Sequence, residues 1–192
     1  MISTFTVFFD ANVFFGARLR SLVLYLAQTK LFRARWSDAI HDEWIRGILA
    51  KRPDLTADQL QRTRELMNAA IPDCLVTGYE APIPALNLPD PDDRHVLAAA
   101  VVTRAHLIVT FNEADFPAPI LEPLRLAPKH PDNFMLDTFS LEPSIFLEAV
   151  RNDFLHYLQL PLSYEGYLAD LAAAGIPETA KVLREYGILV SS

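Results

Sequence analysis

The chain has 192 residues, a formal net charge of -7 and 51% hydrophobic residues, a composition typical of an ordinary globular domain. Its single cysteine, Cys74, excludes an internal disulfide framework and a multi-cysteine metal site, and it agrees with a reducing cytosol. No apolar run approaches the roughly 18 to 20 residues that span a bilayer, and the first residues lack the basic flank of a signal peptide. We therefore expect a cytoplasmic protein with no membrane partner.

The net charge conceals an uneven distribution along the chain. Residues 1–64 carry ten Lys/Arg against six Asp/Glu, a balance of +4, so residues 65–192 carry -11. A basic first third could offer a positive face to a phosphate backbone. The same charges also fit solvated helix faces, so charge alone does not identify a nucleic-acid partner.

The first elements predicted in chain order are a strand and three helices. Thr6–Phe9 is apolar, β-branched and aromatic, as expected for a parallel strand that is covered on both faces. A helix over about residues 12–28 follows from its apolar spacing. Ser37 is a good N-cap for a second helix, and Thr56 with Gln59 makes a capping box for a third.

The middle of the chain continues the alternation. Cys74–Thr77 is a short strand candidate, and the proline-rich residues 81–91 predict a loop. Pro91 lies in the first turn of a further helix, which is followed at once by a strand over Leu107–Thr110. A short edge strand is predicted at Leu124–Ala127. This pattern indicates an α/β fold with a mostly parallel central sheet and helices on both sides.

From Pro131 onward the predicted elements are all helical. Pro143–Gln159, Ser163–Ala173 and Pro177–Tyr186 have helical spacing, with no strand pattern between them. We therefore expect two parts, an α/β domain over residues 1–130 and a C-terminal helical extension over residues 131–192.

Acidic and amide side chains recur where a parallel sheet gathers its ligands, at the carboxyl ends of strands. Asp10 follows the first strand, and Asn112 and Asp115 follow the strand that ends at Thr110. Further acids lie on the second helix and in the first turn of the helix before that strand, namely Glu43, Asp92 and Asp93. Oxygen ligands without cysteine suit Mg²⁺ or Mn²⁺ better than Zn²⁺.

Each of these acids also has a structural explanation. Asp10 with Asn12 can cap the first helix, and Asp92 fits an acid-rich helix N-terminus. Glu43 can pair with an arginine three residues on, and Asp115 can form an Asx-turn. The histidines are interpreted as structural or solvated; they are His41, His95, His106, His130 and His156.

Three stretches, "VFFDANVFFG", "WSDAIHDEWIRGIL" and "PDPDDRHVLAAAVVTRAHLIVTFNEADFP", together resemble the PIN-domain ribonucleases, in particular the VapC-like toxins of bacterial toxin–antitoxin pairs. The likeness covers about residues 3–127 and implies a three-layer α/β/α domain. The C-terminal extension is similar to that of a PIN subgroup with a long helical tail.

The resemblance also implies which residues form the site. It places catalytic and metal-binding roles on Asp10, Glu43, Asp93 and Asp115, and supporting roles on Asn12, Asp92, Thr110 and Asn112. The last acidic position of the family lies after the "VT" strand, where Asn112 stands first. Because an amide there would weaken a second metal site, Asp115 is the candidate to supply that charge.

The activity implied by the resemblance is hydrolysis of RNA by a Mg²⁺- or Mn²⁺-dependent endoribonuclease that leaves a 5′-phosphate and a 3′-hydroxyl. Arg35, Arg46 and Lys51 are the candidates for holding the RNA backbone. By analogy the substrate is tRNA, and the partners are a second copy of the chain and a cognate antitoxin, with an interaction surface on the helices between residues 12 and 70.

Two other classes of protein remain open at this stage. A phosphoaspartate phosphatase also has an aspartate after its first strand, but it needs a second one two residues on, where this chain has Asn12. A non-enzymatic PIN-like binding or scaffold module is the other alternative. Retention of Asp10, Glu43 and Asp93 disfavours a scaffold, whereas Asn112 leaves it open.

Overall fold

A five-stranded parallel sheet lies within the part of the chain that the computed structural model describes, residues 5–156 and 162–187. The strands are β1 (Phe5–Phe9), β2 (Phe32–Ser37), β3 (Leu75–Val76), β4 (Leu107–Val109) and β5 (Ala127–Lys129). They are ordered β3-β2-β1-β4-β5, so β1 is central. Val7, Phe8 and Phe9 are fully buried. The predicted class, α/β with a parallel sheet, is confirmed.

The α-helices of the described residues alternate with the strands and then follow one another. They are α1 (Ala17–Gln28), α2 (Asp38–Lys51), α3 (Ala57–Ala70), α4 (Arg94–Val102), α5 (Ala118–Leu121), α6 (Pro131–Leu141), α7 (Pro143–His156), α8 (Tyr164–Ala173) and α9 (Pro177–Glu185). Short 3₁₀ turns precede or follow several of them. Within the described ranges, no helix combines the length and the apolar character needed to cross a bilayer.

The chain divides into two compact units. The first contains the described residues up to Phe15 together with Phe32–His130, and it holds the sheet with α2 to α5. The second contains Gly16–Leu31 together with the described residues from Pro131 onward, and it consists of α1 and α6 to α9. In the second unit α1 packs against α7, so a helix from the first part of the sequence joins the C-terminal helices.

The predicted helix caps of the first unit are confirmed. Ser37 Oγ accepts a hydrogen bond from the Ile40 N–H and starts α2. Thr56 and Gln59 form both hydrogen bonds of a capping box at the start of α3. The strands expected at Cys74–Thr77 and Leu107–Thr110 are present in shortened form as β3 and β4.

Several predicted boundaries are wrong. The helix expected over residues 12–28 is a 3₁₀ turn, Ala11–Phe14, followed by α1, because Gly16 is extended between them. The strand expected at Leu124–Ala127 begins only at Ala127, since α5 and another 3₁₀ turn occupy the residues before it. The segment that is β2 was missed. Residue 159, the predicted end of α7, lies outside the described residues.

A buried hydrogen-bond network holds α2 and α3 to β2. Asn68 Oδ1 accepts hydrogen bonds from Trp36 Nε1 at 2.8 Å and from His41 Nε2 at 2.9 Å. His41 Nδ1 in turn accepts from Trp44 Nε1 at 3.0 Å, which places the proton of the neutral ring on Nε2. Burial lowers the pKa of His41, so the ring stays neutral. The network fixes the helix that carries Glu43.

Replacing Asn68 with leucine should destabilise the first unit. The Asn68→Leu variant leaves two buried N–H donors, those of Trp36 and His41, without their acceptor. We expect the free energy of unfolding to fall by roughly 2 to 4 kcal/mol, because each unsatisfied buried donor costs about 1 to 3 kcal/mol. Urea denaturation measures this. Gln61→Leu on the exposed face of α3 is the control and should change it by less than about 0.5 kcal/mol; equal midpoints for the two variants would contradict the prediction.

Candidate active site

Asp10 lies at the carboxyl end of the central strand β1, where its N–H donates to the Val109 carbonyl of β4. Its side chain is only 4% exposed. Oδ1 accepts a hydrogen bond from the Ala11 N–H at 2.6 Å, which caps the 3₁₀ turn Ala11–Phe14. The structural role expected for Asp10 is therefore present, and its second carboxylate oxygen faces the end of β4.

Thr110 and Asn12 fix the second oxygen of Asp10. Oδ2 accepts from Thr110 Oγ1 at 2.7 Å and from Asn12 Nδ2 at 2.6 Å. Asn12 Oδ1 also accepts from the Phe111 N–H, and Thr110 Oγ1 from the Asn112 N–H. These hydrogen bonds join the loops after β1 and β4. They hold the Asp10 carboxylate in one orientation.

Asp93 comes to the same edge from the start of α4. It ends the 3₁₀ turn Pro91–Asp93 and precedes the first residue of α4, but its side chain makes no capping hydrogen bond. Asp90 is the residue that caps this turn, by accepting from the Asp92 N–H at 2.8 Å. Asp93 thus has a half-buried carboxylate that the local helix geometry does not use.

Glu43 and His95 complete this side of the site. Glu43 is on the second turn of α2, and its Oε2 lies 3.5 Å from His95 Nε2. His95 Nδ1 is buried without a hydrogen-bond partner among the described residues. The sequence predicts a structural or solvated role for His95, whereas here the ring lies beside Glu43. Its place two residues after Asp93, on the first turn of α4, was the available signal.

Asn112 and Asp115 lie together after β4. Asn112 Nδ2 donates to Asp115 Oδ2 across the 3₁₀ turn Glu113–Asp115; Asn112 is exposed and Asp115 is partly buried. Asp115 nevertheless contributes to the electrostatic potential at Asp93. Of the two candidates for the last acidic position, Asp115 therefore supplies a charge and Asn112 orients it.

The four acids, Asp10, Glu43, Asp93 and Asp115, are called here the acidic rim. Burial raises the pKa of Asp10 from 3.8 to about 6, the Thr110 hydroxyl opposes this rise, and Glu43 adds to it. Burial raises the pKa of Asp93 to about 7, with further contributions from Asp10, Asp115, Asp90 and Glu43. The carboxylates repel one another, so a cation placed among them would favour their ionised forms.

The acidic rim has the donor chemistry of a site for a hard divalent cation. All four side chains offer carboxylate oxygens, which suit Mg²⁺ or Mn²⁺. In the arrangement described, residues 5–156 and 162–187 contain no group of three His, Cys, Asp or Glu that is close enough to hold an ion. The residues fit such an ion by chemistry and charge, and binding would require their side chains to draw together.

The basic candidates of the first third are dispersed. Arg46 lines a cleft of 640 Å³ with Glu43, Asp92, Asp93 and His95, so it lies beside the acidic rim. Lys51 lies 6.0 Å above the ring of Phe15, in cation–π contact. Arg35 lines a different cavity, at the amino ends of the strands.

Comparisons with known proteins agree with this geometry. A PIN-domain family model matches residues 6–114, and a model of the VapC50 C-terminal domain matches residues 131–185. The curated "Putative ribonuclease VapC50" of Mycobacterium tuberculosis is 48% identical over 64 residues, or 33% of this chain and 37% of that relative's length. No solved structure matches the chain. With over half of its length matched and with an acidic edge on a parallel sheet, the chain belongs to the PIN-domain family.

Proposed function

We propose that the protein is a Mg²⁺- or Mn²⁺-dependent endoribonuclease that acts as the toxin of a toxin–antitoxin pair. The observation that carries this proposal is the acidic rim. There the negative charges of Asp10, Asp115 and Glu43 all raise the pKa of Asp93. A bound cation would offset this repulsion between carboxylates, so their close placement is consistent with a metal site. The relative's name, a VapC ribonuclease, supports the same activity.

The four acids would differ in how they bind the ion. Asp10 and Asp93 would hold the ion directly, and Glu43 and Asp115 would hold it directly or through water. An ion there supplies activation of water and stabilisation of negative charge on the phosphate. His95, next to Glu43, would orient that carboxylate. Arg46 would attract a substrate phosphate into the cleft.

Thr110 and Asn12 act on Asp10 and not on the substrate. Their two donors occupy Asp10 Oδ2, so that the carboxylate cannot rotate away from the rim. This role separates Asn12 from the second aspartate of phosphoaspartate phosphatases, because its amide donates to Asp10 and offers no acid to a leaving group. The site therefore lacks the second acid that the phosphatase class needs.

The remaining parts of the proposal follow the family. RNA, with tRNA by analogy, is the substrate; a second copy of the chain and a cognate antitoxin are the partners; the compartment is the cytoplasm. We propose residues 1–130 as the nuclease domain and residues 131–192 as its helical extension. A catalytically weak binding module is the competing function, favoured by the separation of the rim acids in the described residues.

Cleavage of pooled tRNA and rRNA with Mn²⁺ tests the proposed activity. Wild-type protein should cleave, and Asp93→Asn should lower the rate roughly 100-fold or more, because an uncharged amide replaces a carboxylate at the centre of the rim. Glu113→Gln is the matched control: it removes one negative charge from an exposed residue of the same unit and should stay within about 3-fold of wild type. Wild-type rates for Asp93→Asn would contradict the nuclease proposal.

If neither protein cleaves, Mn²⁺ binding separates the two functions. Stabilisation of the wild type by Mn²⁺ in a thermal melt, lost in Asp93→Asn, would keep the metal site and move the question to the substrate. Absence of any stabilisation would favour the binding module.

Mn²⁺ binding should depend on pH. In the metal-free protein the raised pKa values mean that protons on Asp10 and Asp93 stabilise the fold below about pH 4, and that this stability is lost as pH rises through about 6 to 7. Mn²⁺ must displace the same protons, so its apparent affinity should fall as pH drops from 8 to 5.5, by up to about 10-fold per pH unit for each proton displaced. Thermal melts with and without Mn²⁺ measure this, and an affinity independent of pH would contradict it.

Thr110→Val tests the positioning of Asp10. Valine keeps the β-branched shape but removes the hydroxyl that donates to Asp10 Oδ2. We expect a roughly 10- to 100-fold loss of metal affinity or cleavage rate, as for other residues that orient a ligand. Thr63→Val is the control, because its hydroxyl donates to the Gln59 carbonyl of its own helix. Equal activity of the two variants would contradict a role for Thr110 in positioning Asp10.

A further inference from the structure

A second charged site lies at the opposite edge of the same sheet. A cavity of 570 Å³ is lined by residues at the amino-terminal ends of the strands, among them Thr6 of β1, Arg33 of β2 and His106 just before β4. Arg35, Arg104 and Arg125 also line it. Among the described residues, none that lines it is acidic. It is called here the basic cavity.

Three separate segments bring the four arginines together. Arg33 and Arg35 are two residues apart on β2, so their side chains leave the same face of the sheet. Arg104 follows the C-terminal end of α4, and Arg125 follows the 3₁₀ turn Glu122–Leu124. Convergence from such distant positions requires the tertiary fold. It is not the result of a run of basic residues in the sequence.

Three of the four arginines of the basic cavity form no ion pair within the described residues. No ion pair there involves Arg35, Arg104 or Arg125, whereas Arg64 binds both Asp38 and Asp42 and Arg52 binds Asp54. The C-terminal end of α4 supplies only about half a negative charge. The guanidinium groups of Arg35, Arg104 and Arg125 alone exceed that several-fold, so the cavity retains a strong positive potential.

Two of the arginines also have unfavourable backbone conformations. Arg104 has φ of 52° and Arg125 has φ of 57°, in the left-handed region that favours glycine or asparagine. A residue with a side chain there costs about 1 kcal/mol or more relative to glycine. Both positions contribute an arginine to the same cavity although a glycine would relieve the backbone.

We propose that the basic cavity binds a ligand through two or more phosphate groups. Guanidinium groups form paired hydrogen bonds with phosphate oxygens, and several of them around one cavity match several phosphates. His106 Nδ1 accepts from the Thr6 N–H, which leaves Nε2 as the donor of the neutral ring. The lining residues that the structure describes include no Phe, Tyr or Trp, so they offer bases no ring on which to stack, and we assign recognition to the phosphates.

The basic cavity and the acidic rim are separate sites. Thr6 precedes Asp10 by four residues on an extended strand, which corresponds to roughly 13 Å at about 3.3 Å per residue. The phosphates have two possible sources, the backbone of an RNA or a free polyphosphate or nucleotide. Only the RNA source rests on the proposed nuclease function. Binding is therefore measured without metal and without cleavage.

Inorganic tripolyphosphate is the first probe, titrated in metal-free buffer at constant ionic strength. It should raise the melting temperature of the wild type, and Arg104→Gly with Arg125→Gly should weaken its binding at least 10-fold. Because glycine suits both backbone positions, the double variant should fold with equal or higher stability. Lys30→Gly is the matched control, since Lys30 has φ of 63° and lies outside the cavity. It should bind as the wild type does.

Two results would overturn the proposal: no stabilisation of the wild type by tripolyphosphate, or the same affinity in the double variant. A poly-glutamate peptide is the second probe, and its affinity is compared with that of tripolyphosphate. If it bound the cavity as tightly as tripolyphosphate, the site would be one for acidic protein segments, and the phosphate proposal would fail.

A fluorescent single-stranded RNA in the same metal-free buffer then identifies the source. If RNA is the ligand, the double variant should bind it about 10-fold more weakly. The slope of log affinity against log salt concentration should also fall, by the amount expected for about two fewer phosphate contacts. Tripolyphosphate should also displace it. If RNA binding is unchanged while tripolyphosphate binding is lost, the ligand is a free polyphosphate or nucleotide. Both results are independent of whether the acidic rim cleaves RNA.

Discussion

Burial of a carboxylate at the end of the central strand is the constraint on which the arrangement of the first unit depends. Asp10 has almost no access to solvent, and its ionised form must be stabilised by the protein. The Ala11 N–H, Thr110 and Asn12 do this locally through hydrogen bonds. They do not neutralise its charge, and the neighbouring acids add to it. The fold therefore maintains an electrostatic strain that a cation would relieve.

The sheet separates charges of opposite sign. The acidic rim is at the carboxyl ends of the strands, and the basic cavity is at their amino ends. A net charge of -7 conceals this separation, because the sum says nothing of where each sign lies. A polyanion approaching the protein would meet repulsion at one edge and attraction at the other. The opposite charges at the two edges of the sheet would thus orient a charged ligand relative to the strands.

Much of the first unit could be predicted from local sequence. Ser37 and the Thr56–Gln59 box act within one helical turn, so their patterns are visible without tertiary information. The strand β2 was missed because Arg33 and Arg35 alternate with apolar residues, whereas buried parallel strands were expected to be apolar throughout. Both arginines line the basic cavity.

The contacts between distant segments could not be predicted. The pairing of His95 with Glu43 depends on how α2 and α4 approach each other, and sequence spacing does not contain that distance. The same holds for Arg104 and Arg125, whose left-handed backbone has no glycine to signal it. The four acids were predicted from the family resemblance: Asp10 and Asp115 follow strands, where position along the chain determines position on the sheet, whereas Glu43 lies on α2 and Asp93 at the start of α4.

The membership of α1 in the second unit has a consequence for synthesis. The apolar residues Leu19, Leu22 and Leu26 leave the ribosome more than a hundred residues before α7, the helix against which α1 packs. At about 5 to 20 residues per second this interval is several seconds or longer. During that time an apolar helix face has no permanent cover, so the nascent chain depends on chaperones or on transient contacts. A chain terminated near residue 130 would keep that exposed face for its whole lifetime, and we expect it to aggregate.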